Sequence, residues 1–227
     1  MFRIGFLCAA ALSLAAPAAL AGSLTVKLSG LTPAGHLPVS AAFCLHPGVP
    51  NKTGDKNPGI RWSAGPAGTK SYVIIMTDPD VVKDLSLMNK PGVTIPVDAP
   101  RMDIYHWELI DIPAAVHHIA AGADGGYVRG GKPIGPGPVG LRGTNDYWPF
   151  FNKRPGAPVA LHGPYGGYDG PCEPVNDALA LHNYKFQVFA LDVPSLGLTG
   201  QFFAPAVFAA MQGHVLASGE ADAPYGY

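Results

Sequence analysis

Glycine and proline limit this chain most: 29 Gly and 24 Pro fill nearly a quarter of its 227 positions. Long helices tolerate neither residue, because Gly carries extra backbone entropy and Pro removes an amide donor and clashes with the preceding turn. A β-rich fold uses both, Gly where φ must be positive and Pro where φ must be fixed. The composition therefore excludes a helix bundle and favours strands joined by ordered connections. The length suits one domain, since a body of roughly 200 residues buries about 70% of the surface its unfolded chain exposes and needs neither metal nor disulfide staples. Charge is also sparse, with 15 Lys+Arg against 16 Asp+Glu and a formal net charge of −1. Lacking a basic cluster, the chain has no field to draw in a nucleic-acid backbone or an anionic membrane, so any anion must be held by a few placed side chains.

Met1 to Ala21 reads as a signal peptide: Arg3, an Ala-rich apolar run interrupted by Pro17, and Ala19-Leu20-Ala21 as a cleavage site before Gly22. This predicts a periplasmic or secreted protein whose mature domain covers residues 22–227, with no stable transmembrane anchor after cleavage. Cys8 would leave with the leader. Cys44 and Cys172 remain, and the sequence is equally compatible with a disulfide and with two buried thiols.

Ser23 to Ser29 alternates and predicts an opening strand, with a second over Val39 to Leu45. Pro47 to Gly59 has the turn residues of a surface loop. Tyr72 to Met76 is the most apolar run, a buried central strand delivering Asp78 and Asp80 to its exit loop. Tyr105 to Ile110 predicts a strand centred on His106, and Tyr184 to Leu191 another, with Tyr184, Phe186, Val188 and Ala190 on one face. Gly122 to Pro171 shows no helical period, though its aromatic residues would anchor it to a core. One helix is expected over Gln201 to Met211, capped by Thr199 and stopped at Gly213, with a final strand from His214 to Ala217.

The residues best placed for chemistry are Asp78, Asp80, His182 and Tyr184, at or beside the ends of apolar strands, and His106 inside its own. Imidazole, an orienting carboxylate and a tyrosine hydroxyl supply donors to phosphate-like oxygens without a positive surface. An aspartate in such a pocket would repel a dianion unless it meets an imidazolium or a ligand amine or hydroxyl, which favours a ligand of mixed polarity. Metal ligation is not supported, for no H-x-H, H-E-x-x-H or C-x-x-C spacing occurs. There is also no G-x-S-x-G elbow and no phosphate loop.

In their order, Asn57-Pro58-Gly59-Ile60-Arg61-Trp62, Asp78-Pro79-Asp80, His106-Trp107, Asp111-Ile112-Pro113, Gly143-Thr144-Asn145-Asp146, Tyr168-Asp169-Gly170-Pro171-Cys172 and His182-Asn183-Tyr184 resemble the phosphatidylethanolamine-binding protein family, especially its bacterial Raf-kinase-inhibitor-like branch. The resemblance covers roughly residues 23 to 219. It implies a mainly β single domain, with a large antiparallel-rich central sheet, a smaller sheet and peripheral helices. It also implies a ligand pocket formed by Asp78, Asp80, His106, Gly170, Pro171, His182 and Tyr184, with no cofactor, no metal and no catalytic residue. In that picture His106, His182 and Tyr184 face an anionic head group, Asp78 orients a histidine or accepts from the ligand, and Asp80 braces its loop.

The departures matter. Asp-Pro-Asp continues as Val81-Val82 where the family has Ala-Pro, Gly170-Pro171-Cys172 continues as Glu173-Pro174 where it has Pro-Pro, and Asn183 replaces an arginine. The last two add a carboxyl and remove a positive charge, which weakens an anion-only reading. Trp148 to Gly166 is longer than the family's spacing, and its Trp148, Phe150 and Phe151 could form a lid, an interface patch or extra core. The expected function is non-enzymatic recognition of a small phosphate-bearing or related polar ligand, such as a phospholipid head group. A protein-interaction or inhibitory module is one alternative, and a hydrolase with a histidine general base is another.

Overall fold

A computed structural model describes residues 22–46, 49–154 and 157–226. The expected leader, Met1 to Ala21, lies outside them. In chain order the strands are β1 (Gly22–Ser23), β2 (Val26–Ser29), β3 (Cys44–His46), β4 (Val49–Pro50), β5 (Gly59–Trp62) and β6 (Ser71–Val82). There follow β7 (Arg101–Pro113), β8 (His118–Ile119), β9 (Gly135–Pro136), β10 (Leu141–Arg142), β11 (His182–Leu191) and β12 (Val215–Tyr225). The helices are α1 (Tyr147–Asn152) and α2 (Ala204–Met211). A seven-stranded sheet runs β1-β12-β11-β6-β7-β10-β9, a three-stranded sheet runs β2-β5-β8, and β3 pairs with β4. Only β1 and β12 pair in parallel within the large sheet. The expected mainly β architecture, a large antiparallel-rich sheet with a smaller one, is the one observed.

Tyr72 to Met76 of β6 reads as continuously apolar because both faces of the strand are covered there. Tyr72, Ile74 and Met76 enter the core shared with the small sheet, while Val73 and Ile75 enter a second core with Val207 and Met211 of α2. Burying each such aliphatic side chain contributes about 1.5–3 kcal/mol over leaving it exposed. On β11 the four residues expected on one face, Tyr184, Phe186, Val188 and Ala190, all join the first core.

Several boundaries differ from the sequence reading. The central strand does not stop at Met76 but continues through Asp78 and Asp80 to Val82. Its ladder with β7 tolerates this through bulges: Pro79 and Asp80 stand opposite Asp103 alone, and His106 is the extra residue between the Tyr105–Thr77 and Trp107–Met76 pairs. Proline has no amide to offer a ladder, so a bulge is where it fits inside a strand. The opening strand is two, β1 in the large sheet and β2 in the small one. Val39 to Leu45 begins as a 3₁₀ turn over Val39–Ala41, and only Cys44 and Leu45 are extended into β3. Residues 49–59 are not a surface loop throughout, because Asn51, Asp55 and Asn57 are buried and bonded: Asn51 donates to the carbonyls of Val39 and Ala42, and Asn57 to that of Ala120.

The stretch from Gly122 to Pro171 does contain a helix. Six residues are too few to show a period, and Pro149 sits in the first turn of α1, where its missing donor costs nothing. The longer helix starts at Ala204 with no side-chain cap, so Thr199 does not cap it, and Pro205 rather than a cap marks its start. The last strand extends to Tyr225 because it pairs with β11 along almost its whole length. A third core gathers Phe43, Cys44, Tyr147 and Tyr165 with Tyr127, Trp148, Phe151 and Cys172, so much of the aromatic segment is indeed core.

Cys44 and Cys172 form a disulfide across 128 residues of sequence, with their Cα atoms 4.9 Å apart. Closing so long a loop restrains the unfolded chain, an effect typically of about 2–4 kcal/mol. Replacing both cysteines with serine is expected to lower the unfolding free energy by that amount in urea titrations. An unchanged midpoint would show that the bridge does not stabilise the fold.

Candidate functional site

One cavity of about 360 Å³ opens where β6, β7 and β11 lie side by side, against the segment that follows Pro171. Its floor carries Asp78, His106, Glu173, His182 and Tyr184. Val81, Ile104, Phe150, Phe151 and Leu161 line its walls, and Arg154 supplies a guanidinium. Asp78 and His106 owe their places to the two bulges, which turn side chains that a regular ladder would aim elsewhere.

His182 begins β11, and its Nδ1 lies 2.7 Å from Asp78 Oδ2. Burial works against a charged ring, but the bond to Asp78 and the charges of Asp78 and Asp177 outweigh it and hold His182 above its ordinary pKa. Its Nε2 is buried without a hydrogen-bond partner and lies 3.6 Å from Asp177 Oδ2. Asp177 is itself gripped by Arg101, whose Nη1 also donates to the Asp80 carbonyl at 2.7 Å. Asp78 Oδ1 accepts from the Asp80 amide at 2.9 Å, which keeps the carboxylate aimed at the histidine.

His106 has the opposite character. Its Nδ1 lies 2.9 Å from the Asp169 carbonyl oxygen, which can only accept, so Nδ1 carries the proton and Nε2 is left as the ring's acceptor when neutral. Burial pushes its pKa below the usual imidazole range, against the pull of Asp78. Tyr147 and Tyr184 pack edge-on against it, with ring centroids 5.1 and 5.3 Å away. Asp169 is fixed from below: its carboxylate accepts from Lys132 Nζ at 2.8 Å and from Asn145 Nδ2 at 2.6 Å. Lys132 also reaches Asp55 Oδ2 at 3.1 Å, and the other Asp55 oxygen accepts from the Gly170 amide at 2.8 Å.

Glu173 completes the floor. Tyr184 donates its hydroxyl to Glu173 Oε1 at 2.8 Å, while Oε2 is buried with no partner. Burial pushes this carboxyl up to about 8, against the opposing bond from Tyr184. At neutral pH Glu173 is thus mostly a neutral acid, able to donate as well as accept. The Tyr184 proton is committed to Glu173, so this hydroxyl meets a ligand as an acceptor. Two imidazoles, one biased towards the cation and one towards the neutral ring, thus share a floor with a protonated carboxyl, and the set offers both donors and acceptors.

Of the seven residues expected at the pocket, Asp78, His106, His182 and Tyr184 line the cavity. The other three stand behind it. Asp80 accepts from the Asn183 amide at 2.8 Å and so braces the start of β11. The Gly170 carbonyl accepts from Tyr147 Oη at 2.7 Å, and a side chain at Gly170 would collide with the Ala41 carbonyl. The Pro171 carbonyl accepts from the amides of Phe43 and Cys44. Among the described residues no three His, Cys, Asp or Glu side chains are grouped as metal ligands. Sequence reasoning missed Arg101, Asp177 and Lys132, whose main ion pairs, Arg101 with Asp177 and Lys132 with Asp169, span 76 and 37 residues. Glu173 was detectable as the carboxyl standing in the family's Gly-Pro-Cys-Pro-Pro pattern.

Comparison with known proteins bears on this arrangement. A family model described as phosphatidylethanolamine-binding protein matches residues 29–226. A UPF0098 protein of Aquifex aeolicus is 31% identical over 164 residues, which is 72% of this chain and 70% of that protein. The UPF0098 protein YbcL of Escherichia coli is 29% identical over 139 residues, 61% of this chain and 54% of that one. The crystal structure of E. coli YbcL, described as a new member of the mammalian PEBP family, superposes with a TM-score of 0.60 at 22% identity, covering 91% of this chain and 99% of that one. A phosphatidylethanolamine-binding protein homolog of Chlamydia trachomatis, CT736, superposes at 0.58 with 22% identity over the same shares of the two chains.

The raised Glu173 carboxyl predicts a pH-dependent stability. Its folded value, about 8, exceeds the ordinary 4.5, so between these the folded state holds a proton that the unfolded state has released. The stabilisation is complete below the lower value and is lost as pH rises towards the upper one, with a slope of up to about 1.4 kcal/mol per pH unit. Urea midpoints measured between pH 5 and pH 8 are expected to fall more steeply in the wild type than in Glu173→Gln. His182 contributes with the same sign in both proteins, so parallel slopes would mean that Glu173 is ionised in the folded state.

Proposed function

The chain belongs to the phosphatidylethanolamine-binding protein family, and on that premise we propose that it is a non-enzymatic binding protein, exported to the periplasm or secreted, whose cavity holds a small phosphate-bearing or related polar ligand. The observation that carries this reading is the pairing on one cavity floor of His182, bonded to Asp78, with His106, whose Nδ1 is bonded to a backbone carbonyl. His182 offers a charge-assisted donor at Nε2 to an anionic oxygen. His106 Nε2 and the Tyr184 oxygen offer acceptors to a ligand hydroxyl, a protonated phosphate oxygen or an amine. Such a floor suits a monoanion or a zwitterion of the phosphoethanolamine kind better than a bare dianion.

Reversible binding without a covalent step is supported by what lines the cavity. Among its described residues there is no Ser, Thr or Lys, and Cys44 and Cys172 are joined to each other. A histidine base would therefore have no serine, threonine or free cysteine of this lining to activate, and the lining's tyrosine hydroxyls are bonded elsewhere, Tyr184 to Glu173 and Tyr147 to the Gly170 carbonyl. Export is supported by the leader-like Met1 to Ala21 together with that disulfide, which persists in oxidising compartments.

Calorimetric titration of the protein with phosphoethanolamine and with inorganic phosphate tests the reading. His182→Ala is expected to weaken phosphoethanolamine binding by tenfold or more, whereas His214→Ala, at a histidine remote from the cavity lining, is expected to leave it unchanged. Equal affinity in the His182 variant, or steady release of phosphate from phosphoethanolamine, would overturn the proposal.

A further inference from the structure

The polar floor and the apolar wall of the cavity come from different parts of the chain. The floor is supplied by β6, β7, β11 and the segment at Glu173, whereas Phe150, Phe151 and Leu161 are brought by α1 and the 3₁₀ turn Val159–Leu161. These belong to the stretch that exceeds the family's spacing. Phe151 stacks on Tyr165 with ring centroids 5.3 Å apart, Tyr147 lies 4.7 Å from Phe43, and both are anchored in the third core. Asn152 ties the far side of the segment, donating to the Gly163 carbonyl at 2.9 Å and accepting from the Gly163 amide at 3.0 Å. Val81 and Ile104, both nearly buried, complete the apolar lining. A wall held in this way is already formed before a ligand arrives, so apolar contact with it incurs little ordering cost.

Such a chamber would be wasted on a free inorganic anion, which has nothing apolar to place there. It is also small. At about 360 Å³ it sits at the low end of the ~300–1,000 Å³ range of small-molecule sites, while a bilayer lipid carries two chains that each reach roughly half of a ~30 Å hydrocarbon core. We propose that the cavity takes a small amphiphile whole, an organic phosphate or similar acid whose head rests on His106 and His182 and whose compact apolar body of a few carbons lies against Phe150, Leu161, Val81 and Ile104. This rests on the head-group reading above and adds the class of the attached body. Phe150 and Leu161 are then specificity-determining residues supplied by the extra segment.

Two probes test it: methyl phosphate and n-butyl phosphate, titrated into the full chain. Each buried methylene strengthens binding about fourfold, so three bound in the chamber give n-butyl phosphate an advantage of tenfold or more. Phe150→Ala is expected to narrow that ratio to threefold or less. Leu161→Ser, at a half-exposed position, should do the same if the first variant folds poorly. Equal affinities for the two phosphates, or a ratio that both variants leave intact, would overturn the proposal while the head-group reading stands. If neither phosphate binds while phosphoethanolamine does, this proposal fails alone; if phosphoethanolamine fails as well, both do. A third arm uses phosphatidylethanolamine vesicles: the proposal expects them to leave bound n-butyl phosphate in place, and their displacing it would identify a bilayer lipid as the ligand source instead.

Discussion

A single buried ammonium holds the site in place. Lys132 sits between Asp55 and Asp169, all three at or near zero exposure, in a part of the chain without regular secondary structure. Taking these charges out of water is costly, and removing one partner of such a cluster typically costs about 3–5 kcal/mol because the others are left unpaired. Burial and the neighbouring Asp169 push the Asp55 carboxyl well up, Lys132 and the Gly170 amide offset that penalty, and Asn145 donates to Asp169. What the cluster secures is the backbone from Asp169 to Gly170. Its carbonyls orient His106 and Tyr147, and one residue later the Pro171 carbonyl holds the chain at Phe43 and Cys44. Without it the cavity floor would have no fixed tautomer at His106.

The two histidines then diverge through their surroundings. His182 has a carboxylate at Nδ1 and His106 a carbonyl, and burial acts on both. The outcome is a ring that favours charge beside one that resists it, a division that a uniform patch of basic side chains could not supply. Under the proposed function, this is how a chain of formal charge −1 would meet an acidic group. Such recognition would be local, with its sign set within a few ångströms.

Much of this was legible in the sequence, and the failures share a cause. The alternation of Tyr184, Phe186, Val188 and Ala190 and the apolar run Tyr72 to Met76 were readable because burial on a strand has a short period. Asp78, His106, His182 and Tyr184 were readable as polar residues at or beside strand ends or, for His106, inside a strand, and from their family-like surroundings. The continuation of β6 through Pro79 was not, because a bulge is a property of two strands together. Nor were α1, which is too short to repeat, the brace from Arg101 to Asp177, or the lysine cluster, all of which join residues far apart in the chain. Glu173 was visible as an intruding carboxyl, but its hydrogen bond from Tyr184 and its protonation follow from burial that the sequence does not encode locally.

The parallel pair of β1 and β12 sets residues 22 and 217 side by side, and the disulfide sets 44 beside 172. A chain made from its N-terminus therefore carries β1 and Cys44 for most of synthesis before the partner of either is made. His182 and Tyr184 arrive later still, after the whole aromatic wall. The cavity is thus an assembly of latecomers: a chain stopped short of Tyr184 lacks part of its lining.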